Sequence, residues 1–221
     1  VLDSIDIETG PSPRHAVIWL HGLGADGHDF EPIVPELVGA SWPAVRFVFP
    51  HAPVRAVTIN GGMRMRAWYD ILGQEIANRQ DEAGVRDSIR KVEKLIERET
   101  LRGVRDEHVF LAGFSQGGAI ALATALRHPR RLAGVIALST YLPLADRTDA
   151  ELSPSNRGLH VFLAHGSVDP VVPQSLGQMT RDWLQAHGYP VDWHSYPMPH
   201  SVSAAEIGDL RGWLEARLGA A

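Results

Sequence analysis

The sequence predicts an α/β fold: a mostly parallel sheet with helices on both faces, no large cap, and one domain over residues 1–221. Three observations predict it. Short, near-continuous apolar runs recur along the chain, as strands covered on both faces require. Segments of helical period separate them, the alternation from which βαβ units are built. No internal repeat, low-complexity tract or linker divides the 221 residues, and 44% hydrophobic content is enough for one good-sized core.

The elements follow in order. "LDSIDIE" at 2–8 reads as an edge strand and "AVIWL" at 16–20 as the first strong one. Pro32 and Pro35 then permit only a delayed or interrupted helix before the strand "VRFVF" at 45–49. Residues 50–80 form the longest connection. Within it Asn60-Gly61, flanked by extended-looking residues, predicts a hairpin turn. Met63, Met65, Trp68, Tyr69, Ile71 and Leu72 give this excursion more apolar mass than a solvent loop needs, so it either packs on the domain edge or covers substrate. Val85, Ile89, Val92 and Ile96 then share one helix face.

The strand "HVFLA" at 108–112 leads through "GFSQG" into the helical run "GAIALATALRHP", which Pro129 ends. Strands "AGVIAL" at 133–138, "LHVFLA" at 159–164 and "VDWHSY" at 191–196 complete the sheet. Leu176, Met179, Trp183 and Ala186 mark the helix before the last strand. Ser203 and Glu206 stand in capping-box relation ahead of Leu210, Trp213 and Leu214, which predicts the closing helix.

Composition narrows function. A net charge of −5 without a clustered basic run argues against nucleic acid or an anionic membrane surface as partner. Zero cysteines remove disulfides, thiolate metal sites and a cysteine nucleophile. No apolar stretch approaches the roughly 18 residues of a membrane span, so no stable membrane insertion and a cytoplasmic location are expected. There is no H-E-x-x-H and no tight His and carboxylate cluster, so no metal is expected. A small-molecule substrate fits these limits, and a homodimer is compatible with them.

Chemistry concentrates at "GFSQG", residues 113–117. A G-x-S-x-G between a strand and a helix holds its serine on a sharp turn with the hydroxyl exposed, which makes Ser115 the candidate nucleophile. Serine needs a base, and the base needs an acid to fix its tautomer. In hydrolases of this type the chain order is Ser, then Asp or Glu, then His. "HGSVDPVVP" after the fifth strong strand offers Asp169, and "YPMPHS" after the sixth offers His200. Asp146 and Asp149 are alternative acids, but in a polar stretch. His187 and His194 read as structural or exposed, His21 and His51 as turn-stabilising, and His165 as ordering the acid loop.

Gly22, Gly24 and Gly27 in "HGLGADGHDF" match G-x-G-x-x-G. A dinucleotide site wants a helix opening there and an acidic residue about 20 positions on, and neither is present. The loop suits an oxyanion hole instead, with one donor at the backbone N–H of Gln116, after the nucleophile, and the other at that of Leu23.

Taken together, "HGLGADGHDF", "FPHAP", "TINGGMRMRAWYDI", "GFSQGG", "HGSVDPVVP" and the terminal His loop resemble the carboxylesterase, acyl-protein thioesterase and lysophospholipase family of small α/β-hydrolases, and "TINGGMRMRAWYDI" is most similar to its bacterial carboxylesterase branch. The resemblance implies a Ser115, Asp169 and His200 triad, an oxyanion hole at Leu23 and Gln116, and cofactor-free hydrolysis of carboxylic or thio-esters. The family usually has Gly before the catalytic His; Pro199 stands there here, which predicts an altered path for that loop. Esters with short to medium acyl chains are the expected substrates, held by Met63, Trp68, Leu72 and Val171. The rival class is a catalytically silent binding protein on the same fold, a class that usually lacks a triad member.

Overall fold

The structure, a computed structural model, describes residues 1–73 and 80–219. Its elements are β1 (Ser4–Glu8), β2 (His15–Leu20), α1 (Val34–Leu37), β3 (Val45–Pro50), β4 (Val54–Val57), β5 (Met63–Arg66), α2 (Glu82–Leu101), β6 (Val109–Phe114), α3 (Gln116–Arg127), β7 (Gly134–Leu138), α4 (Ala145–Glu151), β8 (Val161–Gly166), α5 (Gln174–Ala186), β9 (Val191–Tyr196) and α6 (Ala204–Leu218). Seven strands form one sheet in the order β1-β3-β2-β6-β7-β8-β9. β1 is the antiparallel edge strand and every other pairing in this sheet is parallel.

The apolar runs explain this architecture. Successive side chains of a strand point to opposite faces, so a strand apolar at every position needs cover on both. Along β2, Ala16, Ile18 and Leu20 enter one core with α2, α3 and α5, while Val17 and Trp19 enter the other with α1 and α6. Asp81 caps α2 by accepting from Gly84 N at 2.9 Å. Ser203 and Glu206 form the capping box of α6. Pro32 and Pro35 limit the segment after β2 to a 3-10 turn at Glu31–Ile33 and the single turn of α1.

Asn60-Gly61 does make a hairpin turn: β4 and β5 pair antiparallel around it, and Gly61 has φ 65°. Gly24 N donates to Arg66 O at 2.9 Å, so the hairpin is tied to the glycine loop after β2. Of the connection at 50–80, residues 74–79 lie outside the described residues.

Charge is buried at the strand N-terminal end. His128, just after α3, is 1% exposed and places Nδ1 2.7 Å from Glu93 Oε2 and Nε2 2.8 Å from Asp106 Oδ2. Burial pulls its pKa down, but the two carboxylate hydrogen bonds outweigh that and hold it above the ordinary value. A raised folded-state pKa contributes stability that is complete below the unfolded value of about 6.5 and is lost as pH rises through the folded one. The unfolding free energy of the protein relative to His128→Gln, measured by urea titration across that range, is therefore expected to fall with rising pH; a difference that stays flat contradicts the imidazolium assignment.

Candidate active site

The strand order places the site. The strand that follows β2 in sequence, β3, lies on one side of it, and β6 lies on the other. Loops leaving the C-terminal ends of β2 and β6 therefore diverge, and ligands of open parallel sheets bind in such a crevice. The glycine loop follows β2, and Ser115 follows β6 directly.

Ser115 has φ 54° and ψ −121°, a conformation that a residue with a side chain adopts only under constraint. The constraint is visible. Its N–H donates to Leu138 O at 2.8 Å, and its carbonyl accepts from Thr140 Oγ1 at 2.6 Å. A Cβ on Gly117 would sit 2.2 Å from Leu20 O, and one on Gly113 2.4 Å from the carbonyl carbon of Gly117. The glycines around Ser115 are thus the clearance that lets the turn lie against β2.

His200 Nδ1 lies 2.6 Å from Asp169 Oδ2. Asp169 accepts at its other oxygen from Val171 N at 2.8 Å and Val172 N at 2.9 Å, so its carboxylate is fixed by its own loop. His165 Nε2 donates to Val172 O at 2.8 Å, and burial holds its pKa below the ordinary value, so it supports the acid loop as a neutral ring. Gly166 brings the Asp169 and His200 loops together, because a Cβ there would lie 2.4 Å from Met198 O and 2.5 Å from Pro199 O. Pro199 leaves His200 in reach of Asp169. Asp146 is exposed on α4, and Asp149 pairs with His187 at 2.6 Å.

Ser115 and His200 line one cavity of about 260 Å³ with Leu23, Gln116 and Val171. No hydrogen bond joins Ser115 Oγ to His200 among the described residues. The amides of Leu23 and Gln116 donate to no described residue, and both residues line the cavity. The glycine loop is held by histidines. Ala52 N donates to His21 Nε2 at 3.0 Å, so Nδ1 carries the hydrogen bonded to Gly22 O, and burial takes this neutral ring down to about 4. Gly27 N donates to His51 Nδ1 at 3.1 Å.

Three expected substrate contacts do not line this cavity. Trp68 is fully buried and its indole donates to His21 O at 2.9 Å, because its apolar mass fills the core beneath the glycine loop. Met63 is 64% exposed on the hairpin, and half-buried Leu72 is not among the residues lining the cavity, though its neighbour Ile71 is. Tyr69 and Ile71 of the excursion do line it, and so do Phe114 and Tyr141, which the sequence did not single out. The Gln116 side chain was also missed: its Oε1 accepts from Trp68 N and its Nε2 donates to Tyr69 O, both at 2.7 Å. Only the aromatic density at 68–69 hinted at these contacts.

The sheet, the strained serine turn and the cavity at the switch point define an α/β-hydrolase, a serine hydrolase by class. The chain belongs to the phospholipase/carboxylesterase family, whose sequence profile matches residues 4–218. Acyl-protein thioesterase 1 of Mycosarcoma maydis is 40% identical over 226 residues, covering 96% of this chain and 94% of that protein. Among solved structures, Arabidopsis thaliana SOBER1 is similar at TM-score 0.88 and 31% identity over 93% of this chain and all of that one (100%). Zea mays acyl-protein thioesterase 2 is similar at TM-score 0.88 and 27% identity, covering 99% of this chain and 100% of that one. No helix among the described residues is long and apolar enough to cross a membrane.

The Gly166 contact makes a specific prediction. Gly166→Ala forces the acid and base loops apart by at least a few tenths of an ångström, and kcat for ester hydrolysis should fall by roughly 10²-fold with KM little changed. Steady-state kinetics on a purified, folded variant checks it; unchanged kcat means the loops are not held by this contact.

Proposed function

We propose that the protein is a carboxylesterase in which Ser115, His200 and Asp169 act as nucleophile, base and orienting acid. The observation that carries the reading is the His200 to Asp169 hydrogen bond opening on the same cavity as the strained Ser115. With Nδ1 committed to Asp169, Nε2 of His200 is the ring atom left to take the Ser115 Oγ proton as Oγ attacks the ester carbonyl. The amides of Leu23 and Gln116 receive the oxyanion. Collapse of the tetrahedral intermediate breaks the bond to the leaving alcohol, and His200 returns the proton to it. Water, deprotonated by the same imidazole, then attacks the acyl-serine; collapse breaks the bond to Ser115 Oγ, His200 returns the proton to Oγ, and the acid leaves.

A cavity of about 260 Å³ with apolar lining from Ile71, Val171 and Val172 suits a short or medium acyl group on a small-molecule ester. Thioester cleavage is the second reading, favoured by the relatives named acyl-protein thioesterase. The first step is common to both, since the same hydroxyl attacks either carbonyl.

Ser115→Ala is expected to lower ester turnover by about 10⁴-fold or more while leaving the thermal unfolding transition in place. Turnover within tenfold of the unmodified protein removes the nucleophile assignment. Butanoate and hexanoate esters are expected to be hydrolysed faster than long-chain triglycerides, and a chain-length series of kcat/KM that rises toward long chains contradicts the small-cavity reading.

A further inference from the structure

Tyr69 and Tyr141, 72 residues apart in sequence, both line the Ser115 cavity, and their hydroxyl oxygens lie 2.8 Å apart. Both segments are anchored to the nucleophile turn. The carbonyl of Tyr69 accepts from Gln116 Nε2 at 2.7 Å, and Thr140, next to Tyr141, donates to Ser115 O at 2.6 Å. The two rings are 3% and 5% exposed.

Each phenol brings one hydrogen. Only one of the two can lie between the paired oxygens, so the other is directed elsewhere. Among the described residues neither hydroxyl has a second partner. Burial pushes the Tyr141 hydroxyl up to about 12 and the Tyr69 hydroxyl well above its ordinary value, so both hydrogens are retained at neutral pH. A buried donor without an acceptor is costly; the apolar lining, Ile71, Val171 and Val172, offers none, and Asp29, which also lines the cavity, is hydrogen-bonded to neither hydroxyl. A pure hydrocarbon substituent offers none either.

We propose that the Tyr69 and Tyr141 pair is a specificity subsite that donates a hydrogen bond to a carbonyl, ether or hydroxyl oxygen carried on the substrate beyond its scissile ester. It thereby favours oxygenated substituents over hydrocarbon ones of equal length. This rests on the ester hydrolysis reading above and adds the substrate class.

The test uses isosteric esters in two arms. In the first, kcat/KM is measured for one phenol esterified with pentanoic, methoxypropionic or levulinic acid. In the second, butanoic acid is esterified with butanol or methoxyethanol. Each value is divided by that ester's own rate of alkaline hydrolysis, which removes intrinsic reactivity. The protein is expected to prefer the oxygenated member in one arm by roughly two- to tenfold, the range of a single neutral hydrogen bond. That arm identifies the limb of the substrate that meets the tyrosines.

The double variant Tyr69→Phe with Tyr141→Phe should bring the ratio to one, its folding checked by circular dichroism and fluorophosphonate labelling. Because the readout is a ratio, a general loss of activity divides out. A ratio of one in both arms for the unmodified protein overturns the proposal, as does a preference that survives the double substitution. Failure of the underlying reading looks different: the plain pentanoate ester would then show no turnover that depends on Ser115, and both conclusions fall together.

Discussion

The site depends on the main chain of Gly117 lying directly against the carbonyls of Leu20 and His21, where a Cβ would sit 2.2 Å from the first. That contact lets the turn at Ser115 keep its left-handed φ of 54° while the neighbouring loop after β2 stays within reach. It places the amides of Gln116 and Leu23 on one cavity wall. A strained turn persists only where its surroundings over-determine it, and here a buried sheet, the Leu138 and Thr140 hydrogen bonds and the fully buried helix α3 all do so.

Around that contact the polar groups act mainly on one another. Gln116 clamps the backbone of Trp68 and Tyr69, Trp68 reaches His21, and His21 fixes both Gly22 and Ala52. The excursion after β3 is thereby locked to the residue beside Ser115, and the core accounts for its Trp68. On the other wall His165 and two backbone amides hold the Asp169 loop, and Gly166 lets it press against the chain leading to His200. Support of this kind fixes the Asp169 carboxylate and the glycine loop around the cavity that Ser115 and His200 line.

Most of the sheet was legible because a strand buried on both faces must be apolar at nearly every position, and the runs at 16–20, 45–49 and 161–164 are. The capping box at Ser203 and the turn at Asn60-Gly61 were legible because their signals are local. His165 and His51 take the supporting places expected of them. That Trp68, Met63 and Leu72 lie off the Ser115 cavity was not legible, because an apolar side chain in a loop reads the same whether it faces core, solvent or ligand. Tyr141 gave no signal, since its meaning comes from a partner far away in sequence.

The sequence by itself determined the period of each element, the glycine-flanked serine and the order of serine, acid and histidine along the chain, because these are properties of short segments. Only the tertiary structure decided which groups share a cavity, that Asp169 and not Asp146 or Asp149 meets His200, and that Tyr69 faces Tyr141. Those pairings follow from the lateral order of strands and the clearances between loops, which no local pattern encodes.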